Sequence, residues 1–574
     1  MADPLLTVTQ LLAPAFAAVA GHEVDPVVRA SDRADAQANG ALALAKQLGR
    51  NPREVAEAVV AAADLDGTAT LEVAGPGFIN VAFSADFIAG ESARAAADER
   101  LGVHPPETVD TVVVDYSAPN VAKEMHVGHL RTTVIGDCLV RVHEFLGHTV
   151  LRENHIGDWG TPFGMLIEYL IDEGADADTV VTHEDPTALY QAARARFDSD
   201  EDFKVRSRDR VVKLQSGDAE TLALWRQLVD ESNRYFERVY RDLGVMLTAD
   251  DVMGESAYDP MLPGVIERLR DGGLLEESDG AGVVWPPGYK NRDGDPLPLI
   301  VQKRDGGFNY ATSDLACVLD RLERRHATLI LYVVGAPQAL HLEMVFKVAE
   351  MAGWLKPPAR AVHVSFGSVL GIDRKMLRTR SGATLKLHDL VAEAVERGTA
   401  QVKAKSPDLP PQEQARVGRM IGIGAIKYAD LSTDRTKDYV FDWERMLSFD
   451  GNTAPYLQYA HARIRSLFRR AEVDAQTIRT IVPTLDQPQE RALALRLLAF
   501  DAAVSETVER YVPHRLCNYL FDLAQDFTAF YEACPVLRAE SEELRNSRLA
   551  LADLTARVIA QGLDLLGIEA PERM

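Results

Sequence analysis

Cysteine is scarce in this chain: only four occur in 574 residues, at positions 138, 317, 517 and 534. None belongs to a Cys-x-x-Cys pair, so the sequence supports neither a disulfide framework nor a thiolate zinc site, and no resident metal is expected. No apolar run approaches the roughly 20 residues of a membrane span. The first residues lack the basic start and apolar core of a secretory signal. These absences predict a cytoplasmic protein that needs no membrane.

Positive charge is also in deficit, with 62 Lys+Arg against 86 Asp+Glu and a net charge of -24. This balance counts against a generic nucleic-acid binder. The deficit is uneven, however: residues 1–110 carry 7 basic and 16 acidic side chains, whereas residues 401–470 carry 12 and 8. The carboxy-terminal part is therefore better suited to RNA. The length predicts roughly three or four domains.

A strand, a loop and a helix are predicted over residues 111–141, around the sequence His-Val-Gly-His at 126–129. The run Thr-Val-Val-Val-Asp-Tyr comes first, and a helical pattern at 132–141 follows. This is the layout of a nucleotide site at the carboxyl end of a parallel strand. Gly128 leaves room for a base or phosphate. Two imidazoles beside a helix amino terminus suit a triphosphate. The alternative is that the histidines merely begin a helix.

A second group of polar residues fits a guanidinium. Tyr310 and Asp314 are four residues apart, so on a helix they share a face, and Glu255 supplies another carboxylate. Carboxylates and a phenol that converge can accept the fixed fork of guanidinium donors. An Asp that caps a helix and a buried Tyr are the alternative interpretation.

Residues 371–382 form a basic, turn-rich loop after a predicted strand at 362–366. Its cations could neutralise charge that develops on a leaving pyrophosphate. A solvated surface loop is the alternative.

Two further regions are predicted at the ends of the chain. Residues 1–108 read as a separate α/β module, with helices at 5–20, at 40–48 and from 52, and a hairpin of strands 69–74 and 78–83. Phe78 and Asn80 on this hairpin could face RNA, or Phe78 could be core. From about 406 the chain reads as helical. Tyr456, Tyr459 and Arg463 combine stacking faces with a cation, as splayed bases require, or they lie on an amphipathic helix with a basic outer face.

The block around His-Val-Gly-His, with Asn120, Lys123 and Arg131, resembles the first signature of class I aminoacyl-tRNA synthetases in its arginyl form. The sequence Asn-His-Ile-Gly-Asp-Trp-Gly from 154 and the pattern Tyr-x-Thr-x-Asp from 310 are similar to the same family. The loop at 371–382 matches the second signature, KMSKS, in position but not in wording. Met376 stands where the first lysine would be, and Arg378 at the serine.

The resemblance implies a multidomain α/β protein with a Rossmann-like class I catalytic core, at 109–405, that carries an insertion around 180–260. An added α/β domain at 1–108 would contact the tRNA elbow, and an all-α anticodon-binding domain would span 406–574. The substrates would be L-arginine, ATP with Mg²⁺, and tRNA-Arg, with tRNA needed for the first step. The chain is expected to act as a monomer.

The resemblance also assigns residues to roles. Catalysis would use His126, His129, Lys375, Arg378 and Arg380. ATP would be bound by Pro119, His126, Gly128, His129, Lys375, Met376 and Leu377. Arginine would be bound by Ser117, Asn120, His129, Glu255, Tyr310, Asp314 and Gln338. The tRNA would be contacted by Phe78, Asn80, Lys123, Tyr456, Tyr459 and Arg463.

Two alternatives stay open at this point. A class I synthetase for another amino acid, such as cysteine, would keep the signatures, although clustered Cys and His ligands are missing from the sequence. A non-enzymatic RNA-binding protein or scaffold could keep the fold and lose the chemistry, and the altered second signature leaves that open.

Overall fold

The computed structural model describes residues 3–31, 33–175, 186–377 and 385–574. An amino-terminal α/β unit, a central unit on a parallel sheet and a carboxy-terminal helical bundle follow one another along the chain. The predicted multidomain α/β fold class with a Rossmann-like core is confirmed. Among the described helices, none is both long and apolar enough to cross a membrane.

The amino-terminal unit packs helices on an antiparallel sheet. The predicted helices and hairpin are all present, and one further helix and two short strands join them. Along the last strand, Ile79 and Val81 face the core, whereas Phe78 and Asn80 face outward and are half-buried. The sheet order is β1-β2-β4-β3. Its elements are α1 (Pro4–Ala20), β1 (Val28–Ala30), β2 (Ala36–Ala38), α2 (Gly40–Leu48), α3 (Pro52–Ala62), β3 (Ala69–Ala74), β4 (Phe78–Phe83) and α4 (Ala85–Ala97).

A parallel four-stranded sheet organises the central unit. Its two central strands, at Thr111–Asp115 and Leu329–Tyr332, are mostly buried, as expected where helices cover both faces of a sheet. The first half contains β5 (Thr111–Asp115), α5 (Gly128–Leu146), β6 (Thr149–Glu153), α6 (Thr161–Asp172), α7 (Pro186–Ser199), α8 (Glu201–Gln215) and α9 (Ala219–Leu243). The charged helical segment predicted after residue 180 is thus helical wherever it is described; residues 176–185 lie outside the described ranges.

The second half of the central unit returns to the same sheet. It contains α10 (Leu262–Asp271), β7 (Glu276–Ser278), β8 (Ala281–Val284), β9 (Leu299–Gln302), α11 (Tyr310–Leu319), β10 (Leu329–Tyr332), α12 (Ala339–Met351), β11 (Arg360–His363) and β12 (Val369–Leu370). The parallel sheet has the order β11-β10-β5-β6. All four strands run in the same direction, but the order in which successive strands are added reverses between β5 and β10. Doubly wound sheets bind ligands outside the carboxyl ends of the strands at that point.

Helices form the rest of the chain, as predicted from about residue 406. They are α13 (Leu387–Lys405), α14 (Pro411–Leu431), α15 (Trp443–Met446), α16 (Ala454–Ala471), α17 (Pro488–Leu498), α18 (Phe500–Glu509), α19 (Pro513–Ala533) and α20 (Glu542–Leu565). A short strand, β13 (Tyr439–Val440), pairs with β12 of the central unit.

Helix α5 crosses closely over the end of β5. A Cβ on Gly136 would lie 2.3 Å from the Tyr116 Cβ atom, so this position admits only glycine without movement of the helix. At the other side, the buried Arg131 donates to Asp430 of α14 at 3.2 Å and to the Lys437 carbonyl at 2.9 Å. The helix that begins at the His-Val-Gly-His sequence is therefore bound to both the sheet and the helical bundle.

Lys427 of α14 joins three parts of the molecule from a fully buried position. Its ammonium donates to the carbonyl oxygens of Leu243 at 3.0 Å and of Gly567 at 2.7 Å. Asp137 of α5 lies 3.9 Å away. Burial lowers the pKa of Lys427 to about 8. The end of α9, the carboxy-terminal tail and α5 all meet at this side chain.

A buried ion cluster ties the carboxyl ends of β5 and β6 together. The Arg321 guanidinium, fully buried beside α11, lies 2.7 Å from a carboxylate oxygen of Asp115 and 2.7 Å from one of Glu153. Tyr258 donates to Glu153 at 2.8 Å, and the Arg321 guanidinium lies over the Tyr332 ring of β10, 4.6 Å from its centre. Three neighbouring strands therefore share one cation.

We expect Arg321→Met to destabilise the central unit strongly. Methionine fills much of the volume but leaves Asp115 and Glu153 buried without a counter-charge, which costs about 3–5 kcal/mol of unfolding free energy. The loss should grow with pH, because protonation relieves a buried carboxylate. Urea denaturation followed by circular dichroism at several pH values measures both effects.

The matched control is Arg268→Met, which removes an exposed ion pair with Glu323. Exposed pairs contribute about 0–1 kcal/mol, so this variant should unfold almost like the original protein. Equal losses in the two variants would contradict the role of the buried cluster.

Candidate active site

The loops after β5, β6, β10 and β11 meet at one edge of the parallel sheet. Backbone bridges join Asn120 to Gly157, and Gly335 to Phe366. At Gly157 a Cβ would lie 2.4 Å from the Asn120 side-chain oxygen, so a larger residue would displace this amide. The site predicted at the carboxyl end of a parallel strand therefore has the expected place in the sheet.

A chain of buried polar groups holds the turn after β5. Ser117 adopts a positive φ of 72°, and its Oγ lies 2.8 Å from the hydroxyl of Tyr240 on α9. Asn154 donates to the same hydroxyl at 3.0 Å. The Ser117 Oγ also lies 3.0 Å from Oγ1 of Thr133, whose hydroxyl donates to the His129 carbonyl. Ser117 is thus buried and already bonded within the protein, and its assignment to arginine binding stays a prediction.

The two imidazoles of the His-Val-Gly-His sequence lie side by side at the start of α5, with ring centres 4.1 Å apart. Nδ1 of His126 accepts the backbone N–H of Gly128 at 3.0 Å, and Nδ1 of His129 accepts that of His126 at 3.1 Å. Because Nδ1 accepts in both rings, the proton of each neutral ring is on Nε2. Each Nε2 is therefore a donor available to a ligand.

Both histidines are neutral at pH 7 before a ligand binds. Burial and the nearby charge of Lys123 lower the pKa of His126. Burial and the proximity of His126 lower the pKa of His129 to about 4. They can therefore serve a phosphate as hydrogen-bond donors beside the helix amino terminus, and the compensating positive charge has to come from other side chains.

Two backbone contacts fix the described part of the basic loop, residues 371–377, to the strand before it. Met376 pairs with Leu370 of β12, and Leu377 donates its N–H to Val369 at 3.2 Å. Lys375 is exposed at the turn between these strands. Arg378 and Arg380 lie outside the described residues, as does the rest of 378–384, so their predicted roles are not tested.

The described chain resumes at Leu385, and from there its backbone pairs with the backbone around the His-Val-Gly-His sequence. The N–H of Val127 donates to the Leu385 carbonyl at 3.0 Å, and the N–H of Leu387 donates to Met125 at 2.8 Å. Lys386, between them, forms an ion pair of 2.6 Å with Glu124. The segment that follows the second signature is thus paired with the backbone that precedes α5.

A cavity of about 400 Å³ opens beside this edge. Its walls include Asn120 and Lys123 from the loop after β5, Glu255 from the 3-10 turn Glu255–Met261, and Tyr310 from the start of α11. The Lys123 ammonium lies over the Tyr190 ring, 4.3 Å from its centre. The structure therefore brings Lys123, predicted as a tRNA contact, into the same space as predicted arginine ligands.

Two carboxylates, Glu255 and Asp259, line this cavity together with Lys123 and Lys303. Burial, together with the charges of Asp158 and Asp314, raises the pKa of Glu255 to about 7, although His155 acts in the opposite direction. Asp158 is itself buried and is bonded to Ser256 at 2.6 Å. A cavity that holds a carboxyl group at the margin of ionisation can be stabilised by an incoming cation.

Asp314 already has a partner. Oδ2 of Asp314 lies 2.5 Å from Nε2 of His341 in the first turn of α12. Tyr310, one turn before Asp314 on α11, is 74% exposed, so it can turn toward a ligand. Gln338 is exposed in the turn Ala336–Gln338 after β10. The predicted arginine ligands thus come from four separate segments around one edge.

The predicted RNA contacts lie on two other units. On the amino-terminal sheet, Phe78 and Asn80 face outward, and the Asn80 amide oxygen accepts from Gln37 at 2.8 Å. On α16, Tyr456 packs against Phe521, with ring centres 5.6 Å apart. Tyr459 is 47% exposed.

Arg463 lies one turn after Tyr459 on the same helix, and its guanidinium stacks 4.4 Å from the centre of the Tyr531 ring. An aromatic residue and a stacked cation therefore share one face of α16. Their contact with tRNA stays a prediction.

Two residues of this edge received no role from the sequence, Tyr240 and His341. Tyr240 lies 123 positions from Ser117, inside a helix that reads as charged and solvated. His341 follows the predicted glutamine by three residues, but nothing in the local pattern indicates its contact with Asp314. Only the fold brings either side chain to the site.

Three family models match the chain. The model described as tRNA synthetases class I (R), catalytic domain, matches residues 95–443. The arginyl tRNA synthetase N terminal domain matches residues 7–83, and the DALR anticodon binding domain matches residues 457–574.

Whole proteins match over nearly the full length. The arginine–tRNA ligase of Thermobifida fusca is 55% identical, with 100% of each chain covered. That of Escherichia coli K12 is 48% identical over 97% of each chain. The crystal structure of arginyl-tRNA synthetase from Plasmodium falciparum has a TM-score of 0.86 at 28% identity, with 99% of each chain covered. The chain belongs to the arginine–tRNA ligase family of class I aminoacyl-tRNA synthetases.

Proposed function

We propose that the chain activates L-arginine with ATP to arginyl-adenylate and transfers the arginine to the 3′ end of tRNA-Arg, releasing pyrophosphate and then AMP. The observation that carries this proposal is the place of the acidic cavity. Its wall includes Asn120 and Lys123 of the loop after β5, and this loop leads to the helix start where the two histidines present their donors. A cation-binding region and a phosphate-binding region therefore adjoin each other.

The arginine side chain would enter the acidic side of the cavity. Glu255 and Asp314 would accept the planar fork of guanidinium donors, and Tyr310 would close over it. Asn120 and Gln338 would hold the α-amino and carboxylate end, with Ser117 and His129 behind them. Lysine offers a point charge that cannot satisfy several planar acceptors, and buried acceptors left unpaired are costly.

ATP would lie along the loop after β5 and the start of α5. At Gly128 and Pro119 the base and ribose of ATP would approach the backbone closely. Met376 and Leu377 would face ATP from the hairpin that they form with β12. The Nε2 donors of His126 and His129 would contact phosphate oxygens.

The first step is an in-line attack of the arginine carboxylate on the α-phosphate. Catalysis consists of positioning and charge stabilisation, and no side chain has to act as a general base. Lys375, Arg378 and Arg380 would neutralise the leaving pyrophosphate. Because both histidines are neutral in the free protein, we assign most of the positive charge to this basic loop.

Magnesium would enter as part of the substrate, MgATP. Within the described ranges, no three His, Cys, Asp or Glu side chains converge as a metal site. Mg²⁺ is usually held by phosphate oxygens and water together with one or two carboxylates. The ion therefore needs no resident protein cage in this proposal.

The three units would divide the tRNA between them. The tRNA elbow would contact residues 1–108 through Phe78 and Asn80. The acceptor end would bind to residues 109–405, which include the 180–260 insertion and Lys123. The anticodon would bind to residues 406–574 through Tyr456, Tyr459 and Arg463. One chain carries every unit that this contact needs, so we propose a monomer. All four cysteines are free and buried, which fits a reducing cytoplasm.

Arginine-dependent exchange between ATP and pyrophosphate tests the proposed function. We expect exchange with arginine when tRNA-Arg is present and none with lysine or cysteine, because only a guanidinium satisfies the cavity. Incorporation of labelled pyrophosphate into ATP measures it, with and without tRNA.

The other outcomes of this assay separate the alternatives. Exchange with a different amino acid would keep the class and overturn the pocket. A folded protein that binds tRNA but never supports exchange would be the non-enzymatic RNA-binding protein or scaffold.

Glu255→Gln should weaken arginine binding by about 10- to 150-fold at pH 8, because it removes a charge-assisted hydrogen bond that contributes about 1.5–3 kcal/mol. The difference from the original protein should shrink below about pH 7, since the Glu255 pKa is about 7 and the original carboxyl then also carries a proton. Isothermal titration of arginine at several pH values measures this.

Asp259→Asn is the matched control. Asp259 is another carboxylate on the wall of the same cavity, but it is outside the proposed arginine set. An equal loss in this variant would mean that the cavity senses only total charge.

Tyr459→Ala should raise the KM for tRNA-Arg by about 5- to 150-fold, because stacking of a base on an aromatic ring contributes about 1–3 kcal/mol. Tyr459→Phe keeps the ring and should keep the KM. Aminoacylation at varied tRNA concentration measures both variants. An unchanged KM in the alanine variant would remove this face of α16 from the anticodon contact.

A further inference from the structure

His341 contacts Asp314, one of the predicted arginine ligands, and its neighbours in sequence do not explain this contact. It lies in the first turn of α12, three residues after Gln338, and its Nε2 is 2.5 Å from Oδ2 of Asp314 on α11. The two side chains are 33% and 22% exposed. The contact is therefore shielded but open to a ligand and to water.

The chemistry of the pair fixes the direction of its hydrogen bond. An ionised carboxylate can only accept, so Nε2 of His341 carries the hydrogen and donates to Asp314. Nδ1 can then take up a second proton. One oxygen of Asp314 is occupied by this bond, and the other oxygen stays available to a guanidinium.

We propose that His341 is a positioning and specificity-determining residue of the arginine site. As a neutral hydrogen-bond donor, His341 holds one oxygen of Asp314. When His341 carries a second proton and is an imidazolium, arginine binding displaces that proton. This inference rests on the proposed function of the cavity. When His341 is neutral, the negative charge of Asp314 is free to attract the substrate guanidinium. An imidazolium at His341 would cancel that charge and repel the guanidinium.

Several charged or titratable groups surround this pair. Asp314 faces His341 from α11, and Glu255 faces Asp314 across the cavity from its 3-10 turn. The loop after β6 adds further groups that act on Glu255, namely Asp158 and His155. On β11, which packs against α12, His363 is bonded to the Val334 carbonyl and is influenced by Arg435 and by Glu343 of α12.

Two of these groups, His341 and Glu255, have raised pKa values and so bind a proton more readily in the protein without arginine. The hydrogen bond with Asp314 raises the pKa of His341 above its usual 6.5, and burial raises the pKa of Glu255 to about 7. Arginine is always a cation. At mildly acid pH its binding must therefore release one proton from Glu255 and one from His341.

Titration calorimetry of L-arginine into the full chain, from about pH 5.5 to about pH 9, tests the proposal. For the original protein, log Kd should fall with pH at a limiting slope of about two on the acid side, because two protons are released. Repetition in buffers of different ionisation enthalpy counts the same protons directly.

His341→Gln separates the two contributions. Glutamine keeps an N–H donor for Asp314 but cannot be protonated, so the slope should drop to about one, with an affinity near pH 9 within a few-fold of the original. His341→Ala should weaken binding at every pH, since Asp314 is no longer held. In the exchange assay both variants should change the KM for arginine and leave kcat nearly unchanged.

His363→Gln is the matched control, because it removes a neighbouring imidazole that does not contact Asp314. Its slope should stay at about two. An unchanged slope in His341→Gln would overturn the inference, as would release of no proton by the original protein, which needs no variant. Failure of the original protein to bind arginine, or equal binding of lysine, would instead overturn the proposed function.

Discussion

One buried guanidinium holds the edge of the sheet on which the site is built. Arg321 joins Asp115 at the end of β5 to Glu153 at the end of β6, and it stacks on Tyr332 at the end of β10. The segments that follow β5 and β10 carry several of the predicted ligands, among them Ser117, Asn120 and Gln338. Charge on Arg321 keeps the pKa of Glu153 low despite burial, whereas burial raises the pKa of Asp115 even beside the same guanidinium.

The proposed site has two regions, one suited to phosphate and the other suited to a cation. Neutral imidazoles at the start of α5 offer donors to phosphate, and the cavity beyond them gathers carboxylates for a cation. A net charge of -24 is therefore no obstacle to binding both ATP and RNA, because the local arrangement of donors decides each contact. The proposed preference for a guanidinium depends on that same local arrangement.

Helix α5 carries contacts between the site and the rest of the molecule. Its first turn holds the two histidines, Arg131 reaches Asp430 of α14, and Asp137 lies beside Lys427, which binds the carboxy-terminal tail. The helices proposed to bind the anticodon thus rest on the helix that would bind ATP. A need for tRNA in the first step would have a physical route through these contacts.

The sequence by itself determined the fold class, the order of the three units and the signature blocks, because hydrophobic period and the residues around His126 are local properties. It also predicted the strand before that block to within one residue, and a helix after it, although the helix extends four residues earlier and five residues later than the predicted 132–141. Tertiary structure alone decided that Tyr240 anchors Ser117, that His341 holds Asp314, and that Lys123 faces the cavity. These contacts join residues far apart in the chain, and burial, which sets the protonation of Glu255 and His129, exists only once the chain has folded.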